Sequence, residues 1–343
     1  MIDFPPGPII IRIPNWIGDA VMASAAVRAL RLRCPDRKLV LVAKPWVADL
    51  YSRSTIIDAI IRHDHRRGPG RLIDLVSVVR RIRSERPAGA VLIQTAFESA
   101  LMAFLAGIPI RTGLPTDHRG LLLSHPLHLD PSIRSRHLVE EYLAVVDAVF
   151  GPSSAPAPLP GVELSEEDRS RARDLIADCA SPIRVALAPG AAYGSAKRWP
   201  PVSFGKLAGM LSRDLNAMVF LVGGAGELPI MNAIRRESGD TARIMAGQFD
   251  LMTQAAIIEA CNVCVANDSG LLHLAAALDT PVIGLFGPTD ASRTHPYGHR
   301  HRVLREPVDC APCHRRDCPI DHRCMLRITP EHVFREIQNI IEI

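Results

Sequence analysis

Short apolar runs alternate with longer segments of helical period, and the alternation occurs twice along the chain. In the first half the runs are Ile9 to Ile13, Lys38 to Lys44 and Ala88 to Gln94. In the second they are Ile183 to Pro189, Met218 to Gly224, Cys261 to Asn267 and Pro281 to Gly287. The runs are continuously apolar rather than alternating, as in strands covered on both faces. The intervening segments, among them Ala20 to Arg33, Leu72 to Arg86, Val202 to Leu215 and Leu228 to Ser238, carry helical spacing. Strand, helix, strand in this order predicts an α/β fold with a parallel sheet and helices on both faces. With 343 residues, two such units are expected. The break between them is predicted at "GPSSAPAPLPG", Gly151 to Gly161, and a helix over Ser165 to Cys179 follows it. Two open sheets in tandem imply a cleft between domains, with ligands beyond the C-terminal ends of the strands. No sequence repeat of fixed period accompanies the repeated architecture.

Several functions are excluded at this level. The net charge is +4, from 40 Lys and Arg against 36 Asp and Glu, so nucleic acid is not an expected partner. No apolar run reaches the ~18 residues of a membrane span. The start, "MIDFPPGPII", lacks the pattern of a secretory signal, so a cytoplasmic location is expected. There the eight cysteines are expected as thiols or metal ligands rather than disulfides.

Four loops at strand ends carry the candidate chemistry. "PNWIGDAV" places Asp19 where a helix begins; it reads as a helix-start carboxylate or as a general base. "PGAAYGSAKRWP" combines small residues, which let a ligand approach the backbone, with Lys197 and Arg198, which suit a diphosphate. "VGGAGELP" offers Gly224 and Gly226, but Pro229 stands where a dinucleotide fingerprint needs its third small residue. Glu227 in this loop is a candidate for the hydroxyls of a ribose. "CVANDSGLLHLAAAL" sets Asn267, Asp268 and Ser269 before a helix that has His273 one turn in. The polar residues suit a helix cap, and the helix start suits an anion.

Taken in order, "IRIPNWIGDAVMASAAVRALR", "APGAAYGSAKRWP", "VANDSGLLHLAAAL" and "PVIGLFGPTD" resemble glycosyltransferase family 9, the ADP-heptose–lipopolysaccharide heptosyltransferases, and most of all the type II enzymes. The resemblance runs over essentially the whole chain. It implies a GT-B fold, two Rossmann-like domains facing across a cleft, and an inverting transfer that requires no metal or other cofactor, with ADP-heptose as donor substrate. Residues 1–165 would bind the acceptor. Residues 166–328 would bind the nucleotide sugar, and the helix over 329–343 would pack back on the first domain. Asp19 matches the family's base. Lys197 would contact the donor phosphates, and Asp268, Ser269, Gly270, Leu271 and His273 match the motif that holds the diphosphate or heptose. Glu227 would hold the adenosine, and Gly18 and Gly190 would line the donor. The implied acceptor is an anionic, lipid-linked core oligosaccharide. Thr95, Phe97, Glu98 and Ser99 are candidate contacts to it, as are the basic stretches Arg62 to Arg71 and Asp117 to Gly120 with Arg119. The helix carrying Arg80, Arg81 and Arg83 could rest on the anionic cytoplasmic face of the inner membrane. Rival readings are a family 9 transferase adding the first or third heptose or another sugar, a nucleotide-dependent oxidoreductase, and a non-catalytic sugar-nucleotide binder.

The segment "CAPCHRRDCPIDHRC" holds Cys310, Cys313, Cys318 and Cys324, with His314 and His322 between them. Four thiols so close resemble a structural zinc site, and equally a set of reduced thiols or an oxidised pair. Either way the segment 310–324 is expected outside the catalytic mechanism. Cys261 and Cys264 read as buried hydrophobes.

Overall fold

The structure is a computed structural model, and it describes residues 1–64, 70–179 and 181–341. The central part of the basic stretch Arg62 to Arg71 therefore lies outside the described residues. The chain divides into two units, Met1–Glu163 and Leu164–Ile343.

In the first unit the strands are β1 (Ile9–Arg12), β2 (Leu39–Ala43), β3 (Ala59–Arg62), β4 (Gly89–Leu92), β5 (Ile110–Gly113) and β6 (His125–Pro126). They form one parallel sheet in the order β3-β2-β1-β4-β5-β6. β1 is central: Ile9 lies opposite both Leu39 and Gly89. Every residue of β1, β2 and β4 is buried, as unbroken apolar runs require. The helices are α1 (Ile17–Arg33), α2 (Pro45–Leu50), α3 (Gly70–Ser84), α4 (Phe97–Leu105) and α5 (Leu138–Phe150). The proline-rich stretch is tied down within this unit. The Gly161 N–H donates to Ser24 Oγ at 2.9 Å, and the Thr55 N–H donates to Glu163 Oε2 at 2.6 Å.

The second unit begins with α6 (Glu166–Leu175), started by a capping box between Ser165 and Asp168. Then follow β7 (Arg184–Ala188), α7 (Pro201–Leu215), β8 (Met218–Leu221), α8 (Leu228–Glu237), β9 (Ala242–Ile244), α9 (Leu251–Glu259) and β10 (Val263–Asn267). The unit closes with α10 (Gly270–Ala277), β11 (Val282–Phe286), α11 (Ala291–Thr294), β12 (Arg302–Arg305), α12 (Arg323–Leu326) and α13 (Pro330–Ile341). Its sheet is also parallel, in the order β12-β11-β10-β7-β8-β9. Read from the other edge, this is the doubly wound 3-2-1-4-5-6 order of the first unit. Cys261 and Cys264 are buried here, and burial pushes both thiols up, Cys264 to about 12.

Val333, Phe334 and Ile337 of α13 lie in the apolar core of the second unit, with Phe204, Leu207 and Leu211 of α7. The apolar stripe of this helix is thus buried within the second unit. Three residues at i, i+1 and i+4 make one face, and that face is already covered.

In a doubly wound sheet the chain leaves the two central strands in opposite directions, and the crevice beyond their C-terminal ends receives ligands. Here those pairs are β1 with β4 and β7 with β10. Three of the four loops singled out in the sequence follow β1, β7 and β10, and the fourth follows β8. Among the described residues no helix is long and apolar enough to cross a membrane.

Candidate active site

The loops after β7 and β10 are bonded to each other through their polar residues. Asn267 Nδ2 donates to Pro189 O at 2.7 Å, and its Oδ1 accepts the Trp199 N–H at 3.0 Å. Trp199 is fully buried, and its indole N–H donates to Ile328 O at 2.9 Å. On this scaffold Lys197 Nζ meets Asp268 Oδ2 at 2.5 Å. Asp268 is 6% exposed and takes a second bond on the same oxygen from the Thr289 hydroxyl, at 2.6 Å. An ammonium carries three donors, so the bond to Asp268 aims Lys197 without using it up. The Tyr193 ring lies 4.9 Å from Nζ.

The helix-cap reading of "NDSG" is not what the side chains do. Ser269 is the N-cap of α10 in extended conformation, but its side chain accepts no bond from the first turn. Asn267 and Asp268 are turned to the loop after β7 instead. The first N–H groups of α10 thus keep no side-chain cap, and they carry the positive end of the helix dipole. Gly270 and Leu271 form its first turn, and His273 is buried in the next.

Glu227 lies across the loops after β7 and β8. Its Oε2 accepts the Gly224 N–H at 2.9 Å. A methyl group on Gly190 would fall 1.7 Å from Oε1, and one on Gly223 2.2 Å from Oε2. Both glycines therefore give the carboxylate its space. The Gly223 N–H is taken by Gln254 Oε1 at 2.7 Å.

In the first unit Asp19 sits in the first turn of α1, just after Gly18, which is buried. The turn before it is held from beneath. Arg12, fully buried at the end of β1, donates to Asn15 Oδ1 at 2.7 Å and to Val42 O at 3.2 Å. Burial lowers this guanidinium to about 10, and Glu98 opposes the shift. The Trp46 indole donates to Asn15 O at 2.7 Å.

The family model for glycosyltransferase family 9 (heptosyltransferase) matches residues 75–323, which include the loops after β7, β8 and β10. The chain is a family 9 glycosyltransferase. It is 30% identical to lipopolysaccharide heptosyltransferase 2 of Salmonella typhimurium over 344 residues, covering 97% of this chain and 98% of that protein. Escherichia coli heptosyltransferase 2 is 30% identical over 343 residues, with the same coverage. Among solved structures, E. coli ADP-heptose lps heptosyltransferase II superposes with a TM-score of 0.84 at 28% identity, over 98% of both chains. A family 9 glycosyl transferase from Veillonella parvula has the same fold, with a TM-score of 0.87 at 20% identity over 99% of both chains. The fold is GT-B, and the oxidoreductase reading falls with this assignment.

The glycosyltransferase holds its candidate acceptor stretch firmly. Thr95 and Phe97 are exposed after β4. The Phe97 N–H donates to Asp117 Oδ2 at 2.6 Å, and the Thr116 hydroxyl donates to Thr95 O at 3.0 Å. Arg119, expected as an acceptor contact, is 0% exposed and cannot be one in this conformation. Its guanidinium donates to Leu114 O at 2.8 Å, to Ser99 Oγ at 2.6 Å, and to the carbonyl of Gln94. A planar fork of five donors suits a turn lined with carbonyls. Ser99 is buried with it. Arg119→Met should therefore cost about 3 kcal/mol of stability in urea titrations, by orphaning buried acceptors, and leave ADP affinity unchanged.

Beside Glu98 lies a buried charged cluster that the sequence reading missed. Lys44 follows β2 and His63 follows β3; both are buried, with Nζ 3.3 Å from Nδ1. Burial lowers the His63 pKa to about 4, with Lys44 and Arg12 acting in the same direction and Glu98 and Asp74 against. Burial pushes the Glu98 carboxyl up, but His63, Lys44 and Arg71 outweigh it and hold the group below the ordinary glutamate value. A histidine held neutral in the fold protonates first in the unfolded chain. Stability is therefore full above pH ~6.5 and falls as the pH drops toward ~4. Between pH 7 and pH 5 this group should contribute a loss of about 2 kcal/mol. Denaturant titrations of the wild type and His63→Gln at both values check it: the variant should lose less.

In the cysteine-rich segment Cys310 and Cys313 are exposed, Cys318 is half-buried and Cys324 is buried. Burial raises the Cys324 thiol, as do the neighbouring Cys310, Cys318 and Cys313. All eight cysteines are unbridged. Among the described residues no three His, Cys, Asp or Glu side chains are assembled as metal ligands, so of the alternatives left open for this segment the thiols stand reduced and unassembled there.

Proposed function

We propose that this family 9 glycosyltransferase moves L-glycero-D-manno-heptose from ADP-heptose to a heptose of the lipopolysaccharide inner core, with inversion at the anomeric carbon. The relatives' names support the donor and the acceptor. The observation that carries the reading is the Lys197–Asp268–Thr289 arrangement beside the uncapped start of α10. A cation held by a buried acid, next to unpaired helix N–H groups, is suited to a departing diphosphate.

In this reading Asp19 accepts the proton of an acceptor hydroxyl, and that oxygen forms the new glycosidic bond. The bond from the anomeric carbon to ADP breaks on the opposite face. Lys197 and the N–H groups of Gly270 and Leu271 take up the charge on the diphosphate. Ser269 and His273 line the same helix start, Gly18 and Gly190 leave room for the donor, and Glu227 accepts from the ribose. One base and one stabilised leaving group suffice, without a second carboxylate. Thr95, Phe97 and Glu98 are proposed to meet the acceptor. The protein is placed in the cytoplasm. Exposed Leu72, Ile73 and Val76 on the arginine-bearing α3 would let it rest on the inner membrane.

The test is a mass-spectrometric transfer assay with ADP-heptose and two lipid core acceptors, one without heptose and one carrying a single heptose. A one-heptose gain on the second alone supports the reading. Gain only on the heptose-free core would change the step, and no gain on either would overturn the substrate assignment.

A further inference from the structure

The cysteine-rich segment, expected outside the mechanism, grips the loop that carries Lys197. Apart from Tyr193, that loop is built of small residues, Gly190, Ala191, Ala192, Gly194, Ser195 and Ala196, with little side-chain bulk to set its shape. The segment supplies what the loop lacks. The Ala196 N–H donates to Arg316 O at 2.9 Å, and His322 Nε2 lies 2.8 Å from Ala196 O. The Ser195 hydroxyl donates to Asp317 Oδ1 at 2.6 Å, and the Tyr193 hydroxyl donates to His314 O at 2.8 Å. The Arg316 guanidinium lies 5.4 Å from the Tyr193 ring. The approach is so close that a methyl group on Gly194 would fall 2.2 Å from Arg316 O.

The other side of the segment is fixed to the turn after β11. The Cys313 and His314 N–H groups donate to Pro288 O at 2.9 and 2.8 Å. A methyl group on Gly287 would fall 2.9 Å from Cys324 Sγ and 2.5 Å from Met325 Sδ. The His322 N–H donates to Cys318 Sγ at 3.3 Å. Thr289, one residue past Pro288, is the second partner of Asp268. One segment thus spans the loop of Lys197 and the turn that bonds its acid.

We propose that residues 310–324 form the positioning element of the donor site, with Asp317 and His322 as the positioning residues that set Lys197 against the diphosphate of a nucleoside-diphosphate donor. This rests on the donor-site reading above. Neither residue touches the reacting atoms; both act through Ser195 and Ala196.

The experiment measures ADP binding by calorimetry, and donor and acceptor KM, on full-length protein. Asp317→Ala and His322→Phe should each weaken ADP and raise donor KM about fivefold, with acceptor KM unchanged. Asp317→Asn keeps an acceptor for the Ser195 hydroxyl and should recover most of that loss. Adding Ser195→Ala to Asp317→Ala should cost nothing more, since both remove the same bond. If the wild type binds ADP and the variants bind it equally well, the positioning role is overturned. Equal changes in donor and acceptor KM would reduce the segment to general scaffolding and overturn it too. A wild type that binds no ADP would bring down the donor-site reading, and this proposal with it.

Discussion

Asp19→Asn should lower kcat by about a thousandfold while ADP binds as tightly as before. The size follows from what a positioned base supplies, ~10²–10⁴ in rate. The substitution keeps the shape of the side chain and removes its ability to take a proton. It also leaves the supports of the turn in place: Arg12 on Asn15, and the Trp46 indole on the Asn15 carbonyl. A fall in activity could then not be blamed on a displaced loop. ADP affinity should hold because the diphosphate and ribose contacts assigned here, Lys197, Gly270, Leu271 and Glu227, all lie in the second unit. Rate measurements at saturating donor and acceptor, paired with calorimetry, check both halves. A variant that turned over at the wild-type rate would remove Asp19 from the mechanism.

Lys197→Met should be nearly as damaging, for a different reason. It removes a charge from the leaving diphosphate, where one electrostatic contact is worth ~10²–10³ in rate. It also strands Asp268, a carboxylate 6% exposed that also accepts from the Thr289 hydroxyl. Taking one member from a buried pair is destabilising, here by about 3 kcal/mol. Catalysis and folding can be separated by adding Asp268→Asn to Lys197→Met. The double variant no longer buries an unpaired charge, so its stability should return most of the way, while kcat and ADP affinity stay low. Urea titration and calorimetry on the two proteins give the answer. If activity returned along with stability, Lys197 would be a structural residue only.

The architecture was legible because it depends on runs of residues. Apolar stretches such as Ile9 to Ile13 and Pro281 to Gly287 have one economical solution, a strand covered on both faces. The missed elements are short or ambiguous. β3 is only partly buried, and α4 and β5 span just Phe97–Leu105 and Ile110–Gly113. Of the site, Lys197 and Asp268 were suggested by residue type and position, and the structure brings them together. Thr289 was not, although it stands in the quoted "PVIGLFGPTD". Nothing in that string says that its hydroxyl will reach a carboxylate 21 residues earlier. Lys44 and His63 were missed for the same reason: they become neighbours only when β2 and β3 pair. Arg119 shows the opposite error. A basic residue in a short polar stretch reads as a surface contact, and only the fold reveals carbonyls converging on it. The cap of α10 was misjudged because side chains that suit a helix start found stronger partners across the crevice.

The burial of α13 within the second unit has a consequence for how the protein is made. Each six-stranded sheet is built from one uninterrupted stretch of chain, Met1–Glu163 or Leu164–Ile343, and neither borrows a strand from the other. Synthesis runs from the N-terminus at a pace that leaves domains time to form as they emerge. A ribosome translating this message would therefore have the first sheet and the support for Asp19 outside its tunnel while the Lys197 loop was still untranslated. The stretch from Cys310 through α13 appears later than that loop, and it closes both the core of the second half and the grip on the loop.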